Sequence, residues 1–274
     1  MIGLVVLLSV LLGVQCQPCD GLWNYNNPNV DWPLLSCAQT CSGQVQSPVN
    51  IDSYVASSSL SALTFTGYGE AEVELENLGY TIEVLNFPST YTASFVPGYN
   101  LAQFHFHTPA ENTFSGVKDP VTMHCVHKNK ANGGIKVVTI LFEKVESPDN
   151  AFLEPLVQAL PLIPKKGNIT TLTFAGLQDI LDERHLAGHD SYVNFAGSLT
   201  TPPCTEGVDW YVFIETMKIS TRQYNAFFNL EGLDSRPTQR NLTNVAAYIA
   251  KQSSATSNAV GLCVLLLAFL VALI

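Results

Sequence analysis

The chain has 274 residues, 47% of them apolar and only 13% charged, with a formal net charge of -10. That length and apolar content suffice for one large buried core. Thirteen Lys and Arg against 23 Asp and Glu leave no basic footprint for phosphate, which argues against nucleic acid as a partner and fits a soluble extracellular surface.

In chain order, Met1 to Cys16 is an apolar run of Leu, Val and Ile, too short to span a bilayer and followed by a polar, Cys-containing segment. It reads as a secretory signal peptide without the usual basic n-region, cleaved before Gln17 or, alternatively, near Gly13. Residues 17–250 then form the body of the protein. Between residues 60 and 145 the runs "ALTFTGY", "AEVELENL", "TIEVLNF", "YTASFV", "LAQFHFH", "VTMHCVH" and "IKVVTILFE", separated by Gly, Pro, Asn and Asp, predict strands. Apolar residues recur at three and four in "NAFLEPLVQAL", "TLTFAGLQDIL" and "STRQYNAFFNL", which predicts short helices, and a further strand, "VDWYVFIET", follows "GSLTTPPC". No linker divides this interval. The fold class expected is mostly β (α+β): a single domain on a large, mostly antiparallel sheet with short peripheral helices.

Residues 251–274 read differently. The small polar stretch "KQSSATSN" precedes a continuous apolar run, Ala259 to Ile274, that reaches the last residue with no basic flank. A transmembrane helix wants ~20 apolar residues and a basic cytoplasmic side. The order of small residues, spacer and tail instead predicts a glycosylphosphatidylinositol signal, with Ser253 or Ser254 as the attachment site and Ser257 as a third candidate. The implied location is the outer leaflet at the extracellular face of the plasma membrane, with secretion or a single C-terminal helix as alternatives.

Of seven cysteines, Cys16 leaves with the signal peptide and Cys263 with the tail, so Cys19, Cys37, Cys41, Cys125 and Cys204 remain. Five is odd, and Cys125, inside an apolar strand, is the expected buried free thiol, while the other four can form two bridges in an oxidising compartment. Asn168-Ile-Thr170 and Asn241-Leu-Thr243 are glycosylation sequons consistent with the same route.

The chemistry concentrates in "QFHFHTPAEN", residues 103–112. On a strand, residues i and i+2 share a face, so His105 and His107 lie side by side while Phe104 and Phe106 point away. Gln103 shares the histidine face and can bond the ring nitrogen of His105 that a metal does not use. A tetrahedral catalytic zinc needs three protein ligands and one open position, so a third should come from a neighbouring strand. "VTMHCVH" offers His124 and His127, three apart and on opposite faces; spacing alone does not choose between them.

Five motifs in order, "QSPVNI" (46–51), "QFHFHTPAEN" (103–112), "MHCVH" (123–127), "GSLTTPPCTEGVDW" (197–210) and "RPTQ" (236–239), resemble those of the α-class carbonic anhydrases, from about Trp23 to Tyr248. The resemblance implies a central twisted sheet of about ten strands and Zn²⁺ held by His105, His107 and His124, with His127 a bystander. It implies reversible hydration of carbon dioxide to bicarbonate and a proton by attack of zinc-bound hydroxide. Thr200 would accept a hydrogen bond from that hydroxide and donate to Glu111, as a hydroxyl can. Val126, Val137, Leu199, Val208 and Trp210 match the apolar wall holding carbon dioxide, Thr201 a neighbouring pocket threonine, and Tyr25 an N-terminal pocket tyrosine. Secreted and membrane-bound members imply the bridge Cys41–Cys204, and the lipid-anchored type implies a second, Cys19–Cys37. His185 and His189 are expected to be exposed loop residues. A monomer is the favoured state, without the family fixing it.

Three positions depart from the family pattern. Tyr80 stands where fast members carry the proton-shuttle histidine, and a phenol with pKa near 10 cannot relay protons at neutral pH, so a slower enzyme is expected. Thr122 replaces a glutamate that bonds the third ligand, although its hydroxyl can accept the same bond. Phe195 replaces a tyrosine that supports the gate threonine. The rival reading is a catalytically silent binding or adhesion ectodomain, and retention of three histidines with Glu111 and Thr200 speaks for the enzyme.

Overall fold

The computed structural model describes Cys19 and residues 21–250. The expected signal peptide at 1–16, the polar spacer and tail at 251–274, and Ser253, Ser254 and Ser257 lie outside the described residues. Alternation of β-branched and aromatic residues with polar ones produces strands β1 (Val49–Ile51), β2 (Tyr54–Ala56), β3 (Phe65–Thr66), β4 (Ala71–Asn77), β5 (Ile82–Leu85) and β6 (Thr92–Ala93). They are followed by β7 (Tyr99–His107), β8 (Thr113–Phe114), β9 (Val121–Asn129), β10 (Ile135–Val145) and β11 (Ile169–Phe174), then by β12 (Tyr192–Ser198), β13 (Glu206–Phe213), β14 (Met217–Ser220), β15 (Arg240–Leu242) and β16 (Val245–Tyr248). The α-helices are α1 (Pro28–Asp31), α2 (Glu154–Ala159), α3 (Gln178–Ala187) and α4 (Thr221–Glu231).

The large sheet runs β11-β4-β5-β7-β9-β10-β13-β12-β16-β2, ten strands along its path, with β14 beside β10 and β3 and β6 at the side of β7. Its centre and one flank pair antiparallel, while β13 and β14 both join β10 in parallel and β2 joins β16 in parallel. A second, three-stranded parallel sheet orders β15-β1-β8.

Each face of the large sheet buries its own core. Phe104, Phe106, Met123, Cys125, Val138 and Ile140 point to one side, where Leu156 of α2 and Phe227 of α4 cover them. Val126, Val137, Leu141, Val208, Trp210 and Val212 point to the other. The histidine-bearing positions belong to the second side, so the site is built over one apolar core by strands whose backs are clamped by another.

Two sequence-predicted elements are corrected. The apolar spacing in "TLTFAGLQDIL" mimics a helix, but its first four residues end β11, whose Thr-rich alternation pairs with β4 through Leu172↔Val73 and Phe174↔Ala71. Gly176, at φ +104°, separates that strand from α3; a Cβ there would sit 2.1 Å from the Gly69 carbonyl oxygen. Consequently His185 lies exposed on α3, not in a loop, bonded through Nδ1 to Asp190 Oδ2 at 2.6 Å, and His189 just beyond is half-buried. The pattern at 150–160 yields a shorter helix than its apolar repeat suggests, with α2 confined to Glu154–Ala159. By contrast α4 covers nearly its whole predicted span, because Ser220 and Gln223 form a reciprocal capping box.

Disulfides join Cys19 to Cys37 and Cys41 to Cys204, and Cys125 is buried and free. Trp32 packs among the four bonded cysteines with Trp23 and Tyr25 against them. Among the described residues no helix is long and apolar enough to cross a membrane.

Candidate metal centre

The register of β7 against β9 places His105 opposite His124 and His107 opposite Thr122. Directly opposed residues of an antiparallel pair share a face, so the three rings converge. Their centroids are 5.0 Å (His105–His107), 5.3 Å (His105–His124) and 5.0 Å (His107–His124) apart, and one potential ligand atom from each lies within 4.8 Å of the others. His127 turns to the opposite core. Its Nδ1 donates to the Cys125 carbonyl at 3.0 Å, so its Nε2 accepts from the Tyr68 hydroxyl at 2.5 Å, and burial lowers its pKa to about 4. It is a satisfied core histidine.

The ring orientations are set by neighbours. His105 Nδ1 donates to Gln103 Oε1 at 2.8 Å, and His107 Nδ1 donates to the Asp234 carbonyl at 2.9 Å. Both leave Nε2 for a metal, and His107 Nε2 is indeed a buried nitrogen with no hydrogen-bond partner among the described residues. His107 Nε2 and His124 Nδ1 approach the same carboxylate oxygen, Glu111 Oε2, at 3.6 and 3.9 Å. His124 therefore presents Nδ1 to the site and turns Nε2 away. Three converging imidazoles with site-facing nitrogens are a donor set that fits a divalent metal such as zinc.

The expectation that Thr122 accepts a bond from His124 is corrected. The Thr122 hydroxyl donates to the Ile140 carbonyl at 3.4 Å, and His124 Nε2 has no hydrogen-bond partner among the described residues. A threonine side chain carries its oxygen one bond from Cβ, so it does not reach where a glutamate would.

Glu111 is fully buried, and its Oε1 accepts from the Arg236 backbone N–H at 2.9 Å. Burial raises its pKa, opposed by His107, by a hydrogen bond from the Thr200 side chain and by Arg236. Thr200, Glu111 and the histidines are thus brought together. Burial drives the pKa of His105 and of His124 well below the ordinary value, aided by the neighbouring rings. For His107 burial acts in the same direction, but Glu111 and Asp234 outweigh it and raise the pKa to about 10.

Strands β9, β10 and β13 set Val126, Val137 and Trp210 side by side, with Val137 opposite both of the others, and Val208 pairs with Ile135 one step along. Leu199 packs partly buried against this cluster, and the Trp210 ring lies 4.9 Å from His124. Gly197 is required here because a Cβ would meet Ser47 Oγ at 2.1 Å and the Trp210 ring at 2.9 Å. Phe195 stacks parallel to Trp210 and offers no hydroxyl to Thr200. Thr201 is half-buried in the next turn, its carbonyl accepting from Cys204 N–H at 2.8 Å. On the other flank, a cavity of about 620 Å³ is lined by Trp23, Tyr25, Tyr80, Lys166, Glu231 and Asp234, with the Tyr80 ring 4.5 Å from that of Trp23. Burial raises the Tyr25 pKa well above the ordinary phenol value.

Two buried residues went unassigned in the sequence. Arg236, inside "RPTQ", gives its guanidinium to Gln46 Oε1 (2.9 Å), the Ser47 carbonyl (2.6 Å) and the Cys41 carbonyl (3.0 Å), tying the "QSPVNI" segment and a disulfide to the loop that holds Glu111. Asp234, two residues earlier, holds His107. The only signal for Arg236 was the motif "RPTQ" itself, and Asp234 had none, since their partners are up to 195 positions away in sequence.

A triangle of imidazoles over an apolar core, backed by a buried carboxylate and a threonine, defines a sheet protein with a three-histidine metal-binding centre. The eukaryotic-type carbonic anhydrase family model matches residues 27–251, and the chain belongs to that family of enzymes. It is 34% identical to carbonic anhydrase 6 of Homo sapiens over 249 residues, spanning 81% of this chain and 78% of that protein. It is 37% identical to a carbonic anhydrase of Neisseria gonorrhoeae over 223 residues, spanning 80% and 83%. The solved structure of the Photobacterium profundum α-carbonic anhydrase matches with a TM-score of 0.68 at 32% identity, covering 79% of this chain and 95% of that one.

Proposed function

We propose that the protein catalyses the zinc-dependent, reversible hydration of carbon dioxide to bicarbonate and a proton at the extracellular face of the plasma membrane. The observation that carries this reading is the His105, His107 and His124 triangle with Glu111 behind it. Zinc held by His105, His107 and His124 would supply Lewis acidity at the site. The chain's own residues do the rest. Gln103 and the Asp234 carbonyl fix the tautomers of His105 and His107 so that Nε2 of each faces the site. In this reading Thr200, beside Glu111, would donate its hydroxyl proton to that carboxylate and keep its lone pairs free to accept, so that an oxygen at the site would be oriented toward carbon. Val126, Val137, Leu199, Val208 and Trp210 form an apolar wall suited to carbon dioxide; Thr201 and Tyr25 are read as pocket residues by the family resemblance. The proton leaves past Tyr80, which stands where fast members carry the shuttle histidine, so transfer to buffer limits turnover.

The two disulfides support passage through an oxidising compartment. In this reading residues 1–16 are removed, Asn168 and Asn241 carry glycans, and a lipid is attached at Ser253, Ser254 or Ser257. The test is carbon dioxide hydration by the purified ectodomain before and after chelation, with zinc content measured on the same sample. Hydration that is lost on chelation and returns with zinc is expected; full zinc occupancy without hydration overturns the proposal in favour of a silent binding module.

A further inference from the structure

We propose that the Asp234 side chain is a positioning residue for the metal-binding His107, so that the carboxylate supporting the ligand set has moved from His124 to His107. The inference rests on the metal-site reading above. Asp234 is 1% exposed. It is locked to the residue after His107 from both ends: its N–H donates to the Thr108 carbonyl at 3.1 Å, and its Oδ1 accepts from the Thr108 N–H at 2.6 Å. That clasp leaves the second carboxylate oxygen, Oδ2, buried with no hydrogen-bond partner among the described residues and 3.4 Å from His107 Nδ1. The Nδ1–H donates to the Asp234 carbonyl at 2.9 Å, so the same residue's carboxylate stands beside an imidazole N–H that its carbonyl already holds.

The clasp with Thr108 and the backbone bond to His107 need only a neutral acceptor, which an asparagine would supply. Burying a carboxylate costs more than burying an amide unless a positive partner compensates. His107 is the group that compensates: a metal on Nε2 polarises the ring and makes its Nδ1–H a stronger donor. His124 has the reverse environment. Its Nε2 has no partner among the described residues, Thr122 is turned to Ile140, and the Thr139 hydroxyl directly across β10 is likewise without a partner. A His124 without a bonded partner on Nε2 and a carboxylate beside His107 thus replace the arrangement expected from the family pattern.

The experiment is chelator competition for zinc on the folded ectodomain at fixed pH, for the parent protein, Asp234→Asn, His107→Gln and the double variant. In Asp234→Asn the amide retains the Thr108 acceptor and can turn a donor toward Nδ1–H. Zinc affinity should fall about 10 to 100-fold in Asp234→Asn. In the His107→Gln background the same change should alter affinity less than about twofold, because the ring it acts through is gone. A merely structural loss would weaken binding by the remaining His105 and His124 as well, and an equal loss in both backgrounds overturns the inference, as does an unchanged affinity in Asp234→Asn. Should Asp234→Asn not fold, Asp234→Ser is read in the same cycle. A parent protein that binds no zinc overturns the metal-site reading itself, and this inference with it; tight zinc binding by the parent with no effect at Asp234 overturns the inference alone.

Discussion

At the scale of single residues, the candidate site separates groups that hold a metal from groups that use it. Thr200 touches Glu111 and no histidine nitrogen is assigned to it, so Thr200→Ala should lower kcat/KM on the order of 100-fold while zinc content, read by metal analysis, stays at one per chain. Tyr80→His should raise turnover at saturating carbon dioxide in weak buffer and leave it unchanged in concentrated buffer, measured by stopped-flow hydration, since an imidazole with pKa near 6.5 relays protons that a phenol holds. How far such residues were legible differs among them. His105 and His107 follow from strand alternation alone. His124 did not, because a spacing of three says only that His124 and His127 face apart; the order of motifs chose between them, and the Tyr68 hydroxyl on His127 gives the physical reason. Asp234 was not legible at all, for its partner lies 127 positions away.

At the scale of elements, strands were easier to read than helices. The runs at 71–78, 101–107, 121–127 and 135–143 became β4, β7, β9 and β10: β4 alternates in burial, while β9 and β10, covered on both faces at the sheet's centre, are buried almost continuously, as their apolar runs bounded by turn residues suggest. The run at 171–181 was misread because four apolar residues at helical spacing are satisfied equally by a sheet edge followed by a helix, and only pairing with β4 decides. Between elements, the Cys41–Cys204 bridge spans 163 positions and ties the N-terminal segment to the loop carrying Thr200. Replacing both cysteines by serine should cost about 3–5 kcal/mol in denaturant unfolding on the chain-entropy account, and should lower activity before it lowers zinc content.

At the scale of the whole molecule, burial of acidic groups gives an acidic protein an unusual pH response. Glu83 on β5 pairs directly with His105 on one side and with Glu76 on the other. Burial, reinforced by Glu76, raises its pKa to about 7 from an ordinary 4.5. A group whose folded pKa is raised contributes its stability below the unfolded value and loses it as pH rises through the folded value. The Glu83 contribution should therefore fade between pH 4.5 and 7, by up to about 3 kcal/mol, and Glu83→Gln should match the parent in urea unfolding at pH 4 and exceed it at pH 8. The sheet also sets which way its chemistry points. The register of β7 against β9 shifts between Leu101 and Gln103, so that Ala102 has no partner and Leu101 faces the same core as Phe104. That single extra residue works as a phase changer: the strand enters serving the hydrophobic interior with its odd positions and leaves serving the metal with them. Were Ala102 paired into the ladder, alternation would put either Leu101 at the site's edge or the histidines in the core; excising it instead would leave a regular strand with both halves on their present faces.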